Sequence, residues 1–382
     1  MTSKKNPPCE GFFLFKFVSN MSIKYIVEEI DNGEYLFWFE KSNKYLTCNL
    51  SIYNLLLNEI KRINELKNTK YISKNFSKIE IEIKNLLDEL LIPLKKNKHN
   101  PSILSQTKFS INKNYTFNNK VLKFSFENKS MLQLVHPKFE HLECRCKGEK
   151  NFKLFREKEL IRFYIDDKHI GDYNKHQMHE LQGKISMQMT SYFYNKKEDD
   201  WIGVFHGSTL NKGNKSIMLT GRSGSGKSSL TLILSSNGFS LVSDDFSPIS
   251  NDMKHYKFPA AISIKEGFYS YANKLSKDFI NKKEYLVDKS KGKFKYYNID
   301  IDDTFNSHDC NYIIDVKFGK NLKNNISKST KGKALQKLLP ESWISEIYNN
   351  SEKFYQWIHN SNFYELTYND SKKVVELVNK IF

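Results

Sequence analysis

Residues 221–228, "GRSGSGKS", fit the pattern G-x-x-x-x-G-K-[ST] without departure. Nothing else in the chain constrains the fold as tightly. "SIMLT" ahead of it reads as a short apolar strand, and "KSSLTLILSS" behind it as a helix closed by Asn237 and Gly238. The loop must therefore join the end of a strand to the start of a helix. Its glycines let successive backbone N–H groups turn inward around an anion, and the helix adds its positive end. The pattern predicts a phosphate cradle made by Gly221, Arg222, Ser223, Gly224, Ser225, Gly226, Lys227, Ser228 and Ser229. Lys227 is placed to reach the outer phosphates, and the Ser228 hydroxyl to ligate Mg²⁺. No Asn-Lys-x-Asp occurs to select guanine, so ATP is the default.

"FSLVSDD" reads as the next strand, ending in Asp244 and Asp245. A strand that follows the loop's helix is expected beside the loop's own strand, its carboxyl end near the phosphates. One carboxylate can then hold Mg²⁺, and the other can take a proton from an attacking hydroxyl. His206 ends another strand, "IGVFH". Alone, such a histidine is more often structural than catalytic.

Taken together, "HGSTL…SIMLTGRSGSGKSSLTLILSSNGFSLVSDDFSPI" resembles the HPr kinase/phosphorylase family and its looser relatives. Their pattern is a histidine, a P-loop, a helix, a glycine, then a strand ending in Asp-Asp. The match is tight over this stretch. It is loose to the C-terminus, where "ALQKLL…FYELTYNDSKKVVELV" looks like the relatives' closing helices and strand. The resemblance implies an α/β fold like phosphoenolpyruvate carboxykinase, with a mixed central sheet, and transfer of the ATP γ-phosphate to a serine hydroxyl. It implies Asp244 as the base, His206 as the group that tunes it, and Asp245 joining Ser228 at Mg²⁺; the two aspartates can exchange these roles. It also suggests a homo-oligomer. The chain departs from true HPr kinases downstream, where they carry a glycine-rich signature and this sequence has "AAISIKEGFYSYANKL". Only Lys265, Glu266 and Gly267 can stand in, Lys265 as positive charge for the moving phosphate and Glu266 as a metal contact. Neither the reverse reaction nor HPr as substrate is expected. The chain looks closer to kinases of peptide-modifying pathways, which phosphorylate serine in a precursor peptide.

The remaining features organise the chain. At 382 residues it can hold two domains. Residues 1–10 read as a disordered tail. Residues 11–92 read as a small α+β domain of strands and two helices, either a plain structural unit or one laid out like a leader-peptide-binding module whose strand edge would be the docking surface. Residues 93–106, from Pro93 on, read as a linker. Residues 107–382 read as the kinase domain, with a β-rich lead-in over 107–200, a nucleotide-binding core over 201–320 and an α/β tail over 321–382. The lysine-rich region 277–295 reads as a mobile loop. His176 and His179 beside Glu180 have the wrong spacing and order for a zinc helix.

A net charge of +17 invites a nucleic-acid partner. Yet Arg62, Arg145, Arg156, Arg162 and Arg222 are the only arginines, whereas base readout favours arginine. Nucleic acid is not the expected partner. No apolar run reaches the length of a membrane span, and five cysteines without a metal-knuckle spacing read as free thiols, so a cytoplasmic protein is expected. Two rivals to the serine kinase remain open: a kinase for a small hydroxylated metabolite, and a nucleotide-gated interaction protein with little catalysis.

Overall fold

A computed structural model describes residues 22–65, 78–93, 107–286, 292–299 and 306–381. The expected tail, residues 11–21 of the expected α+β domain and nearly all of the expected linker lie outside these residues.

The chain opens with three strands, β1 (Tyr25–Asp31), β2 (Glu34–Phe39) and β3 (Lys44–Asn49), then helices α1 (Leu50–Glu65) and α2 (Lys78–Leu90). Asn49 starts α1, its side chain accepting the Ile52 N–H at 3.0 Å. The lead-in follows as β4 (Ile111–Phe117), β5 (Lys120–Phe126), α3 (Lys129–Gln133), α4 (His136–Phe139), β6 (Lys150–Glu157), β7 (Leu160–Ile165), β8 (Lys168–Tyr173) and α5 (Met178–Phe193). These five strands form one sheet in sequence order, and α5 shares its core.

The central segment runs through β9 (Trp201–Phe205), β10 (Ser208–Lys212), β11 (Lys215–Thr220), α6 (Lys227–Ser235), β12 (Ser240–Ser243), β13 (Ser247–Ser250), β14 (His255–Tyr256) and β15 (Ile262–Lys265). It continues with α7 (Tyr269–Leu275), β16 (Glu284–Leu286), β17 (Lys293–Tyr297), β18 (Ser307–His308) and β19 (Cys310–Phe318). The tail adds β20 (Asn325–Lys328), α8 (Lys331–Leu338), β21 (Ser342–Ile344), α9 (Tyr348–Asn360), β22 (Asn362–Tyr368) and α10 (Ser371–Asn379). The architecture is mixed α/β, as expected.

The central sheet has the order β12-β10-β11-β19-β22-β20. Strands β11, β19 and β22 are parallel, and β10 is antiparallel to both β11 and β12. This corrects one expectation. The strand ending in the aspartates is not beside the loop's strand. The turn "KGN", with Gly213 at φ 63°, folds β10 back on β11 as a hairpin, and β10 takes the neighbouring place. Strand β12 still runs parallel to β11, so both carboxyl ends lie at the same end of the sheet.

A second sheet, β18-β14-β13-β9-β21, is antiparallel. The lysine-rich region is another correction. Its described parts form a short helical turn over Lys277–Asn281 and the strands β16 and β17, because "KFKYY" alternates lysine with aromatic residues and so follows the period of a strand.

The N-terminal sheet is built into the molecule on both faces. Phe37 and Phe39 pack with Leu56, Ile60, Ile83 and Leu87 of α1 and α2. Ile30, Leu36 and Trp38 join Phe205, Phe354, Tyr355 and Trp357 in one cluster. The segment before Pro93 thus packs one face of its sheet on its own two helices and the other on the later chain. Among the described residues, no helix is long and apolar enough to cross a membrane.

Candidate functional site

The loop 221–228 leaves β11 at Thr220 and enters α6 at Lys227. Gly221, Gly224 and Gly226 have φ of 132°, 84° and 99°, a region that side chains with a Cβ avoid. Gly226 is also sterically required. A Cβ there would stand 2.8 Å from Phe318 Cβ and 2.8 Å from the Tyr368 hydroxyl. Neighbouring strand ends brace the loop. The Phe318 N–H donates to the Ser225 carbonyl at 2.8 Å, and the Tyr368 hydroxyl to the Gly226 carbonyl at 3.2 Å. Arg222, Ser223 and Gly224 are exposed at the tip, while Ser225, Ser228 and Ser229 are half-buried.

Lys227 is buried, and its ammonium donates to the carbonyls of Gly221 at 2.5 Å and Arg222 at 3.4 Å. Burial lowers its pKa, against the opposing pull of Asp245, Asp244 and Glu341. Those opposing charges place both aspartates and Glu341 within electrostatic reach of the loop's lysine.

The acidic pair divides sharply. Asp244 is 2 % exposed. One carboxylate oxygen accepts a short hydrogen bond from the Ser208 hydroxyl. The other, Oδ2, is buried and accepts none. Burial, then the neighbouring Asp245 charge, raises its pKa to about 6. Asp245 instead has a side chain 48 % exposed. Its backbone sits in the left-handed region at φ 65°, which aspartate tolerates better than most residues. His206 Nδ1 stands 3.2 Å from its Oδ1 and Lys138 Nζ 3.4 Å from its Oδ2. Desolvation alone would raise the Asp245 pKa, but Lys138, His206 and Lys227 together lower it.

This is a further correction. His206 was expected to tune Asp244, and it pairs with Asp245. The register explains why. Strands β9 and β13 are antiparallel with Phe205 opposite Ser247, so the residue after β9 meets the turn before β13. Gly207 lets the chain cross closely there, since a Cβ on it would lie 2.6 Å from the Leu219 carbonyl oxygen. Ser208 then opens β10, next to the end of β12, and reaches Asp244.

Lys265 ends β15 and its charge is felt at Lys227, so it belongs to this neighbourhood. Glu266 is exposed and its charge is felt at Tyr269 and Lys293. Three contributors were missed. Ser208 was visible in "HGS" but unweighted. Lys138 comes from α4, 107 positions before Asp245, with no local signal. The carbonyl of Glu341, in the turn before β21, accepts the His206 N–H at 3.3 Å.

Among the described residues no group of three or more His, Cys, Asp or Glu converges as a metal centre. A Mg²⁺ bound with a nucleotide needs only one or two carboxylates besides phosphate oxygens and water. The hydrogen-bond-free, buried Oδ2 of Asp244 suits that demand, and Ser228 at the start of α6 supplies a hydroxyl.

No family model matches the chain, and no curated protein matches it. Among solved structures, it is similar to the HPr(Ser) kinase/phosphatase from Coxiella burnetii at 15 % identity and a TM-score of 0.22. That alignment covers 47 % of this chain and 95 % of the other. A TM-score of that size assigns neither fold nor activity.

Proposed function

We propose that the chain is an ATP- and Mg²⁺-dependent kinase that transfers the γ-phosphate to a serine hydroxyl of a peptide or protein. One observation carries the reading: the braced glycine loop and its lysine lie at the same end of the central sheet as an acidic pair whose two members have opposite environments. Two carboxylates held in opposite environments can take different roles in one reaction.

Asp245 is the base. It is open to solvent, ionised at neutral pH, and fixed on both oxygens by His206 and Lys138 while each oxygen keeps a lone pair. It takes the acceptor's hydroxyl proton as that oxygen bonds to phosphorus and the bond from phosphorus to the ADP oxygen breaks. Asp244 is too buried to meet an acceptor; it and Ser228 would hold Mg²⁺. Mg²⁺, when bound, neutralises charge on the phosphate oxygens. Lys227 exchanges its loop carbonyls for phosphate oxygens, and Lys265 adds positive charge nearby. Transfer is then mostly positioning and charge neutralisation. This arrangement reverses the roles that the family resemblance first suggested for the two aspartates.

Lys227→Ala is expected to weaken Mg·ATP binding at least tenfold in calorimetric titration. Labelled γ-phosphate is expected to appear on protein as phosphoserine. Label confined to small molecules, or tight binding without any transfer, would replace this reading with one of its two rivals.

A further inference from the structure

Strands β15, β17 and β16 form a three-stranded antiparallel sheet beside the acidic pair. Its register sets Ser263 opposite Tyr296, Lys265 opposite Phe294, and Phe294 opposite Tyr285. Because side chains alternate along a strand, these five residues share one face. The other face carries Ile262, Ile264 and Tyr297, which pack with Phe279 in a core cluster. Among the described residues, the first face joins no such cluster. Tyr285, Phe294 and Tyr296 are half-buried and belong to none of the hydrophobic clusters among the described residues. They pack on one another, with centroids 5.8 Å apart for Tyr285 and Phe294, 5.4 Å for Tyr285 and Tyr296, and 5.1 Å for Phe294 and Tyr296.

This face is tied to the site at one end. The Ala261 N–H, just before β15, donates to the Lys138 carbonyl at 2.9 Å, and Lys138 is one of the two residues that hold Asp245. Tyr296 lies within electrostatic reach of both Lys138 and Asp245. Cations stand at two places on the rim: Lys265 beside Phe294, and Lys283 with its ammonium 5.2 Å from the Tyr285 ring centre. Glu140 is the carboxylate felt at Tyr285.

We propose that this ring-lined face docks the acceptor, and that the acceptor is an extended peptide segment with an aromatic or large apolar side chain near its serine and an acidic side chain beyond. This deepens the kinase reading and rests on it. A row of rings partly in water next to a reactive carboxylate marks an interaction surface. The face is the side-chain surface of a sheet, which suits an extended chain laid across it, whereas small metabolites are enveloped in concave cavities. The lysines at the rim complement an acidic residue, and Tyr296 hands the docked chain on to Asp245.

The test is a positional-scanning library of synthetic peptides, each with one central serine, incubated with the full chain and γ-labelled ATP. Label is expected to favour peptides with Phe, Tyr, Trp or Leu near the serine and Asp or Glu further along, by about tenfold over alanine. Phe294→Ala should abolish the aromatic preference while ATP affinity, measured in the same preparations, stays within about twofold. Tyr285→Ala serves as a second variant if Phe294→Ala fails to bind ATP. Equal labelling of all peptides, or an unchanged preference in a variant that binds ATP, overturns the docking face but leaves the kinase reading standing. Wild-type protein that binds ATP and labels no peptide overturns serine transfer, and the docking face with it.

Discussion

At the scale of single residues, the loop was legible because every position in "GRSGSGKS" is set by local backbone demands: positive φ, an N–H turned inward, a helix start. The aspartates were legible as a pair but not as individuals. Which one meets His206 depends on a register between β9 and β13 that no short motif encodes, and Lys138 arrives from a distant helix. Two consequences belong here. The Asp244 pKa is raised from 3.8 to about 6, so protonation favours the fold. That contribution is fully present below about pH 4 and is lost as pH rises through 6. Asp244→Asn, which keeps an acceptor for Ser208, should therefore stabilise the nucleotide-free protein at pH 8 by on the order of 1–3 kcal/mol and make little difference at pH 4. Thermal melts at the two pH values check this; equal effects would count against a strained carboxylate. His206→Ala should lower the transfer rate by about ten- to a hundredfold with ATP affinity nearly unchanged, because it removes one of two anchors on the base.

At the scale of elements, strand types were easier to read than strand order. The period of "SIMLT" and "FSLVSDD" reveals two strands, yet their separation by β10 depends on a hairpin turn at Gly213 that looks like an ordinary polar loop. The lysine-rich β16 and β17 were obscured by composition; their aromatic residues, not their lysines, set the structure. The loop itself makes a sharp prediction. Gly226→Ala forces a Cβ against Phe318 and Tyr368 at a strained φ, costing roughly 1–3 kcal/mol of stability. It should abolish ATP binding by displacing the loop, whereas Gly224→Ala, with open space around it, should retain part of it. Melting curves and ATP titrations of the two variants make the comparison.

At the scale of the molecule, residues 11–92 read as a small α+β domain, and the layout of strands followed by two helices supports that. What it does not reveal is that the alternate faces of β2 serve two cores. Phe37 and Phe39 point to α1 and α2, while Leu36 and Trp38 point to α9. The Tyr355 hydroxyl donates to the Leu36 carbonyl at 2.8 Å, and Trp38 donates to Asn43 at 2.7 Å. Trp38→Ala should cost about 3–5 kcal/mol and lower a single shared unfolding transition. Two separate transitions, only one of them shifted, would mean the N-terminal part folds alone.

The most direct check is a single-turnover assay of γ-phosphate transfer from Mg·ATP, comparing wild type with Asp245→Asn at saturating nucleotide. Wild type should pass labelled phosphate to a serine acceptor, and the variant should bind ATP comparably yet transfer at least a hundredfold more slowly. Transfer at the wild-type rate by Asp245→Asn would contradict the assignment of that carboxylate as the base.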